Sequence, residues 1–208
     1  MEPALVDYVA LTTEAAELQG EELISYWIEQ LPYFCRDEYL ASTLRPTDIL
    51  RVTHGAFEYV FDHYTQFEAN GTVPYSTWEE DRLIVVCGRS CQPRRPRRRD
   101  DTRLRRWIGR TEKALGTGWD KGHFIAHALG GAVDGMEVNV FVQRRDFNRG
   151  WSAQGKVYRH MEAYCASHAG TFCFSRPLYA DGSARPAWVD FGLLMEDGQL
   201  WVERFDNR

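Results

Sequence analysis

His123, Asn148 and Glu162 lie in one short stretch, and their side chains suit acid–base and metal chemistry. An imidazole titrates near neutral pH and can take a proton from water. An asparagine amide oxygen is a hard ligand for Mg²⁺, which keeps several of its waters and needs few protein oxygens. Hydrolysis of a phosphodiester requires both functions, because a water must be deprotonated and charge on the phosphoryl oxygens must be stabilised. The stretch therefore predicts a metal-assisted site for a phosphate ester.

The pattern around these residues predicts a strand, a loop, a second strand and a helix. The first strand carries His123, the second ends near Gln143, and the helix begins close to Asn148, with Asp146 or Asn148 as N-cap. Asn148 and Glu162 are fourteen positions apart, which places them within about 40° on one helix face. This unit is expected to bring His123 and Asn148 to opposite sides of one groove.

The order of these residues resembles the DNA/RNA non-specific endonucleases of the ββα-metal (His-Me finger) superfamily. The resemblance rests on four segments: Asp120-Lys121-Gly122-His123, then Asn139 with Gln143, then Asp146-Phe147-Asn148, and last Arg159-His160-Met161-Glu162. Four elements in the right order are more specific than a single glycine–histidine pair.

The resemblance implies a role for each matched residue. His123 is implied to be the general base, Asn148 to bind Mg²⁺ or Mn²⁺ directly, and Glu162 to order the water around that metal. Three further residues are assigned to the site, Asn139 in the catalytic set and Asp120 and Gln143 as supports. The implied activity is hydrolysis of DNA, with RNA as a further substrate, which leaves 5′-phosphate ends.

Lys121 departs from the family pattern, which usually has arginine at this position. A guanidinium holds phosphate through two parallel hydrogen bonds, whereas an ammonium is a point charge. We expect Lys121 to stabilise the phosphoryl charge, with help from nearby arginines. The departure leaves a second interpretation open, a nucleic-acid-binding module of the same fold whose catalytic site is weak or inactive.

Positive charge is concentrated in one segment of an acidic chain. The formal net charge is −5, yet ten arginines and two aspartates between Arg89 and Arg110 give that segment +8. Such a segment predicts contacts with phosphate backbones that do not read sequence, although a solvated arm, a protease-sensitive linker or a targeting signal would have the same composition. The candidate nucleic-acid-binding residues are Arg94, Arg95, Arg97, Arg98, Arg99, Arg144, Arg145 and Arg149. Trp107, Trp119 and Trp151 flank the region and either stack on bases or pack, with packing expected for at least two of them.

The elements along the chain predict an α+β protein, with a helical N-terminal region at residues 1–80. A ββα-metal nuclease domain with an antiparallel sheet is expected at 81–208, with a basic loop at 88–110. Apolar residues at three- and four-residue steps predict a first helix that ends at Pro32, and a second that starts after Pro46 and ends at Asn70-Gly71. Strands are expected at residues 83–87, 171–179, 187–195 and 200–205.

Several further expectations follow from composition. The five cysteines form no CxxC pair, so reduced and mostly buried thiols are expected, with a Cys87–Cys91 bridge left open. His127 follows His123 by four residues, which leaves zinc as an alternative, although the glutamate of HExxH is missing.

The expected partners are nucleic acids, and a docking or inhibitor protein for the N-terminal helices is a further candidate. The nuclease part would then be a toxin or defence effector. No membrane partner is expected, because no segment reaches the ~18 apolar residues of a membrane helix. The N-terminus lacks the form of a secretory signal, so synthesis in the cytoplasm is expected, with export by a signal-independent route left open.

Overall fold

The structure is a computed structural model that describes residues 8–43, 47–63, 81–92, 116–132 and 137–208. The α-helices in these ranges are α1 (Tyr8–Glu14), α2 (Gly20–Ser42), α3 (Arg145–Asn148) and α4 (Ala153–Ser167). The strands are β1 (Ile49–His54), β2 (Phe57–Asp62), β3 (Arg82–Arg89), β4 (Trp119–His123), β5 (Val140–Arg144), β6 (Phe172–Leu178), β7 (Trp188–Leu194) and β8 (Leu200–Asp206). Two single-turn 3-10 helices, His127–Leu129 and Glu137–Asn139, lie between β4 and β5 in the sequence.

Six of these strands form one sheet in the order β1-β2-β3-β6-β7-β8. Every neighbouring pair in it is antiparallel. β4 and β5 form a separate antiparallel ribbon of two strands. The predicted α+β class, with an antiparallel sheet and an N-terminal helix, is confirmed, as are the strands predicted at residues 83–87, 171–179, 187–195 and 200–205.

The six-stranded sheet is covered on both faces. One hydrophobic cluster joins α2 to the sheet through Trp27, Leu31, Cys35, Ile84, Val85, Phe172 and Phe174. A second cluster joins the ribbon and α4 to the opposite face through Phe124, Phe141, Tyr158, Met161, Val86, Phe191 and Phe205. A strand that is buried on both faces reads as a continuous apolar run, which explains the uninterrupted residues 83–87 of β3. The sheet is therefore the platform on which the β4–β5 ribbon and α4 rest.

Helix α2 continues through Pro32 to Ser42, so the prediction that Pro32 ends the helix was wrong. Proline removes one helix hydrogen bond and costs about 3 kcal/mol in a helix interior. Burial of an apolar stripe on both sides of the proline outweighs that cost, since each fully buried large side chain contributes about 1.5–3 kcal/mol. The buried stripe runs at four-residue steps through Leu23, Trp27, Leu31, Cys35 and Tyr39.

The predicted second helix was also wrong, because residues 49–62 form the hairpin β1–β2 within the region 1–80 that was expected to be helical. His54 pairs with Phe57, and Gly55 in the turn between them has a φ of +63°. A left-handed backbone at this position ends any helix and favours glycine. The proposed boundary at residue 80 lies outside the described residues.

The N-terminal helices contact the sheet through buried polar groups as well as apolar ones. Tyr8 Oη donates to Asp190 Oδ2 of β7 at 3.0 Å, and Tyr39 Oη donates to Asp62 Oδ2 of β2 at 2.7 Å. Both aspartates are buried, and Arg204 Nε also donates to Asp190 at 2.7 Å. Because buried carboxylates are costly without such partners, these contacts fix where the helices lie on the sheet.

All five cysteines are free thiols, and four of them are buried, whereas Cys91 is exposed. The prediction of reduced and mostly buried cysteines is therefore confirmed, and no Cys87–Cys91 bridge forms. None of the described helices is long and apolar enough to cross a membrane.

Candidate active site

The β4–β5 ribbon carries the first matched segment of the motif. Asp120 lies opposite Gln143 and His123 lies opposite Val140 in the antiparallel register. Side chains alternate along a strand, so Lys121 and His123 share one face of β4, and Asp120 lies on the other. The strand, loop, strand and helix predicted for this stretch are confirmed.

Gly122 and Gln143 fit together across the ribbon. A Cβ atom at Gly122 would overlap the side chain of Gln143, including its Oε1 and Cβ atoms. Gln143 is only 1% exposed, and its Nε2 has no hydrogen-bond partner among the described residues. An unpaired buried amide costs about 1–3 kcal/mol. Because no hydrogen bond from a described residue holds this Nε2, the position of the Gln143 side chain depends on its packing against Gly122. This arrangement is consistent with its assignment as a supporting residue.

Asn139 closes the loop that follows His123. Its Oδ1 accepts from Ile125 N at 3.1 Å, and its Nδ2 donates to Ile125 O at 3.1 Å and to Ala132 O at 2.8 Å. Phe124 N also donates to the backbone oxygen of Asn139 at 3.0 Å. Asn139 has no exposed surface, so it cannot touch a polymer. The geometry makes Asn139 a positioning residue, although it was placed in the catalytic set.

Replacement of Asn139 by alanine should lower the free energy of unfolding by roughly 3 kcal/mol or more. The change leaves one backbone N–H and two carbonyl groups unpaired in a buried loop, and each costs about 1–3 kcal/mol. Denaturant titration measures the loss. The matched control is Ser183→Ala, which removes only the hydrogen bonds of the Ser183 hydroxyl in a surface turn and should change stability by less than about 0.5 kcal/mol. Equal, small effects of both changes would contradict a clamping role for Asn139.

Asp120 links the ribbon to α3 through three side chains. Its Oδ1 accepts from Arg145 Nε at 3.0 Å, and its Oδ2 accepts from Arg149 Nε at 2.7 Å. Asn148 Nδ2 donates to the same Oδ2 at 3.3 Å. The amide nitrogen of Asn148 is thereby directed at Asp120, and its Oδ1 has no hydrogen-bond partner among the described residues. Asp120 therefore fixes the orientation of the Asn148 amide.

The charges around Asp120 leave a positive surplus. Burial raises the pKa of Asp120, but hydrogen bonds from Arg149, Arg145 and Asn148 outweigh it, and the net pKa lies below the ordinary value. Asp120 is therefore ionised at neutral pH. One carboxylate faces two guanidiniums, which gives this part of the molecule a net positive charge suited to an anionic substrate.

Asn148 ends α3 and does not begin the long helix. Gly150 follows with a φ of +71°, and α4 begins after Ser152, whose Oγ accepts from Gly155 N at 3.1 Å. The prediction of an N-cap at Asp146 or Asn148 was therefore wrong, because a left-handed glycine separates two helices.

Asn148 and Glu162 lie on different helices, α3 and α4, so the prediction of one shared helix face was wrong. The turn at Gly150 folds α4 back beside α3, and a Cβ at Gly150 would lie 3.0 Å from Arg159 Cγ. Arg159 Nη1 in turn donates to Glu162 Oε2 at 2.7 Å. A continuous set of contacts thus joins the turn after Asn148 to Glu162.

Glu162 is a buried carboxyl group, with 8% of its surface exposed. Burial raises its pKa, Arg159 lowers it, and the result is a pKa of about 7. The effect of burial on the pKa is larger than the effect of Arg159, because Arg159 is itself largely exposed and its charge is screened by water. Glu162 therefore changes charge near neutral pH, as a residue in a working site often does.

His123 ends β4 and is half-buried. Its backbone oxygen accepts from Tyr158 Oη of α4 at 3.3 Å, and Glu162 lies one helical turn beyond Tyr158. His123 is three positions along the strand from Asp120, a span of about 10 Å. His123 thus lies beside α4, while Asn148 contacts the Asp120 end of the ribbon; both side chains are half-buried, and the Nε2 atom of His123 is buried.

The predicted nucleic-acid-binding arginines fall into two groups. Arg144 pairs with Asp146 at 2.8 Å, and Arg145 and Arg149 pair with Asp120, so all three are engaged within the protein. The other five lie outside the described residues, as does Trp107: Arg94, Arg95, Arg97, Arg98 and Arg99.

Two residues near the site were missed as functional candidates, and a third had been left open between base stacking and packing. Tyr158 contacts the His123 backbone, Arg159 pairs with Glu162, and Trp151 is 63% exposed next to Arg149. A signal for Tyr158 and Arg159 was present, because both lie within one helical turn of Glu162 in the sequence. Nothing in the sequence distinguishes Trp151 from a packed tryptophan.

The sequence matches no protein-family model and no curated protein. Evidence about its function therefore comes from the residues of the β4–β5 ribbon, α3 and α4 and from their contacts.

Proposed function

We propose that this protein is a divalent-metal-dependent endonuclease that hydrolyses phosphodiester bonds of DNA, and of RNA as a second substrate, with little sequence preference. The observation that carries the proposal is the contact between Asp120 and Asn148. It directs the amide oxygen of Asn148 away from Asp120, in the same unit that carries His123, Lys121 and Glu162. A base, a cation and an oxygen ligand are what the reaction requires.

The donor atoms suit a hard cation such as Mg²⁺ or Mn²⁺. The described residues contain no cluster of three or more histidine, cysteine or carboxylate side chains that could hold a metal. Mg²⁺ keeps several waters and is satisfied by one or two protein oxygens. Asn148 Oδ1 would be the direct ligand, and the Glu162 carboxylate would accept hydrogen bonds from the surrounding water.

Each residue of the site has one task in the proposed reaction. His123 accepts the proton of the attacking water through Nδ1, because the ring is half-buried and its Nε2 atom is buried. Lys121 lies on the same face of β4 and adds positive charge for the phosphoryl oxygens. Asp120 keeps the Asn148 amide in position. A bound Mg²⁺ or Mn²⁺ supplies charge stabilisation at the phosphate and at the leaving oxygen.

Cleavage of plasmid DNA and of RNA should require Mg²⁺ or Mn²⁺ and should stop when EDTA is added. Asn148→Ala should reduce cleavage at saturating DNA by about a hundredfold, because it removes the direct ligand, and a higher metal concentration should restore part of the activity. Arg36→Ala, which removes a surface ion pair of α2, is the control and should cleave normally.

Two results would contradict this proposal. Cleavage that survives EDTA would exclude the metal from the reaction. Salt-sensitive DNA binding without cleavage in Mg²⁺, Mn²⁺, Ca²⁺ or Zn²⁺ would replace the nuclease with a nucleic-acid-binding module of the same fold.

A further inference from the structure

Trp151 is the large aromatic residue that the described part of the chain exposes most, at 63% of its surface. It lies in the turn between α3 and α4, and the guanidinium of Arg149 stacks over its ring at 5.1 Å from the centroid. We propose that Trp151 is a stacking platform for an unpaired base, and that it gives the site a preference for single-stranded nucleic acid. This inference rests on the proposed function and names its substrate class.

Two other tryptophans near the ribbon show why Trp151 differs. Arg185 covers Trp119 at 3.7 Å and Arg208 covers Trp188 at 4.7 Å. Trp188 is only 4% exposed, so its ring has no free face, and Trp119 is half-buried beneath Arg185, so it is less accessible than Trp151. Trp151 has a guanidinium on one face, and an exposed fraction as large as 63% leaves the opposite face to solvent. A base has a π-face of matching size, whichever base it is.

The platform is held rigidly. Trp151 N donates to Asp146 O at 2.8 Å, and Gly150 before it adopts a φ of +71°. Arg159 packs against the same turn, and Arg149 is fixed by its ion pair with Asp120. Exposure of this ring costs hydrophobic free energy, and the cation–π contact with Arg149 is the ring contact that the described residues give it. A preorganised aromatic surface loses little entropy when a base binds.

Trp151 is also at the right distance from the proposed metal ligand. Arg149 contacts both the Trp151 ring and Asp120 Oδ2, and Asn148 contacts that same Oδ2. Chaining these contacts places the ring within about 12 Å of the Asn148 amide, a span that about two nucleotides of an extended strand cover. A base stacked on Trp151 would therefore belong to a nucleotide next to the phosphate at the site. In a duplex that base is paired and stacked on its neighbours, so it is not available to the ring.

The test is a binding titration of the full chain in EDTA, so that no cleavage interferes. A labelled single-stranded oligonucleotide, its duplex and a single strand with abasic positions are compared by fluorescence anisotropy. Trp151→Ala should weaken single-strand binding about tenfold and leave duplex binding within about threefold, whereas Trp151→Phe should retain most of the affinity. The abasic strand should bind the wild type as weakly as the normal strand binds Trp151→Ala.

Tyr33→Ala is the matched control. Tyr33 is 43% exposed and has Arg36 and Arg51 over its ring, at 5.2 and 4.8 Å, but it lies on α2, away from the ribbon. Its removal should not change single-strand affinity. Both tyrosine and tryptophan are surface residues, so both variants should fold, which circular dichroism verifies.

Unchanged single-strand affinity in Trp151→Ala, or equal binding of normal and abasic strands by the wild type, would overturn the inference. These outcomes are separate from failure of the proposed nuclease. A protein that loses single-strand affinity in Trp151→Ala but never cleaves would keep the stacking platform and lose the nuclease. A protein that cleaves normally with unchanged binding in Trp151→Ala would keep the nuclease and lose the platform.

Discussion

Replacement of His123 by alanine should reduce the rate of DNA cleavage by a factor of about 10²–10⁴, the usual contribution of a general base. The protein should stay folded, because His123 is half-buried and its contact with Tyr158 is made by the backbone oxygen, which alanine retains. The rate is measured on supercoiled plasmid at saturating Mg²⁺. Salt-dependent DNA binding should change little, since the arginines that we propose to contact phosphate are unaltered.

His54→Ala is the matched control for this change. His54 is the last residue of β1, as His123 is the last residue of β4, and it is exposed. Its removal should leave cleavage unchanged. Imidazole added to the buffer should restore part of the activity of His123→Ala if the missing group is a base. Cleavage by His123→Ala at the wild-type rate would remove the base from the mechanism.

Glu162→Gln should change the pH dependence of stability by up to about 3 kcal/mol between pH 5 and pH 8. The pKa of Glu162 is raised to about 7 in the folded protein, from an ordinary value of 4.5. A raised carboxyl pKa means that the folded state binds the proton more tightly, so stability falls as pH rises from about 4.5 to about 7. Glutamine stays neutral, so the variant should gain stability relative to the wild type on going to pH 8.

Urea titrations of both proteins at pH 5 and pH 8 measure this difference. The control is Glu22→Gln on α2, where the side chain is exposed, and it should leave the pH dependence of stability unchanged. A wild type and a Glu162→Gln variant with parallel pH profiles would contradict a buried carboxyl group with a raised pKa. If ionised Glu162 assists the reaction, the cleavage rate of the wild type rises as pH passes the pKa of Glu162. Glu162→Gln should lack that part of the rise.

The strands of the sheet and the sequence of elements that carries the candidate site could be predicted, because both follow from local sequence patterns. Residues 83–87 are apolar because both faces of β3 are covered, and a run of this length indicates a strand without knowledge of its neighbours. The four motif segments fall on β4, on β5 with the 3-10 turn before it, on α3 and on α4. The hairpin at residues 49–62 was missed although Gly55 between two runs rich in β-branched and aromatic residues is a hairpin signal. Apolar positions at helical spacing concealed it.

The remaining errors arose where contacts distant in sequence decide the local structure. Helix α2 continues past Pro32 because the sheet buries residues on both sides of the proline. Helix propensities of single residues do not include this burial energy. Gly150 and Ser152 carried a visible signal for a break and a cap, which the assumption of one helix overrode. The ion pairs of Asp120 with Arg145 and Arg149 could not be inferred, because they depend on α3 folding against β4.

Because Gly122 and Gln143 fit together across two strands, substitutions at these two positions should depend on each other. Any larger residue at position 122 would displace the glutamine, and a smaller residue at 143 would leave a void beneath the strand that carries His123. Variation at one position is therefore constrained by the other, and neither can drift alone without moving the imidazole. Directed evolution of this scaffold should find acceptable pairs at 122 and 143 more readily than acceptable single changes.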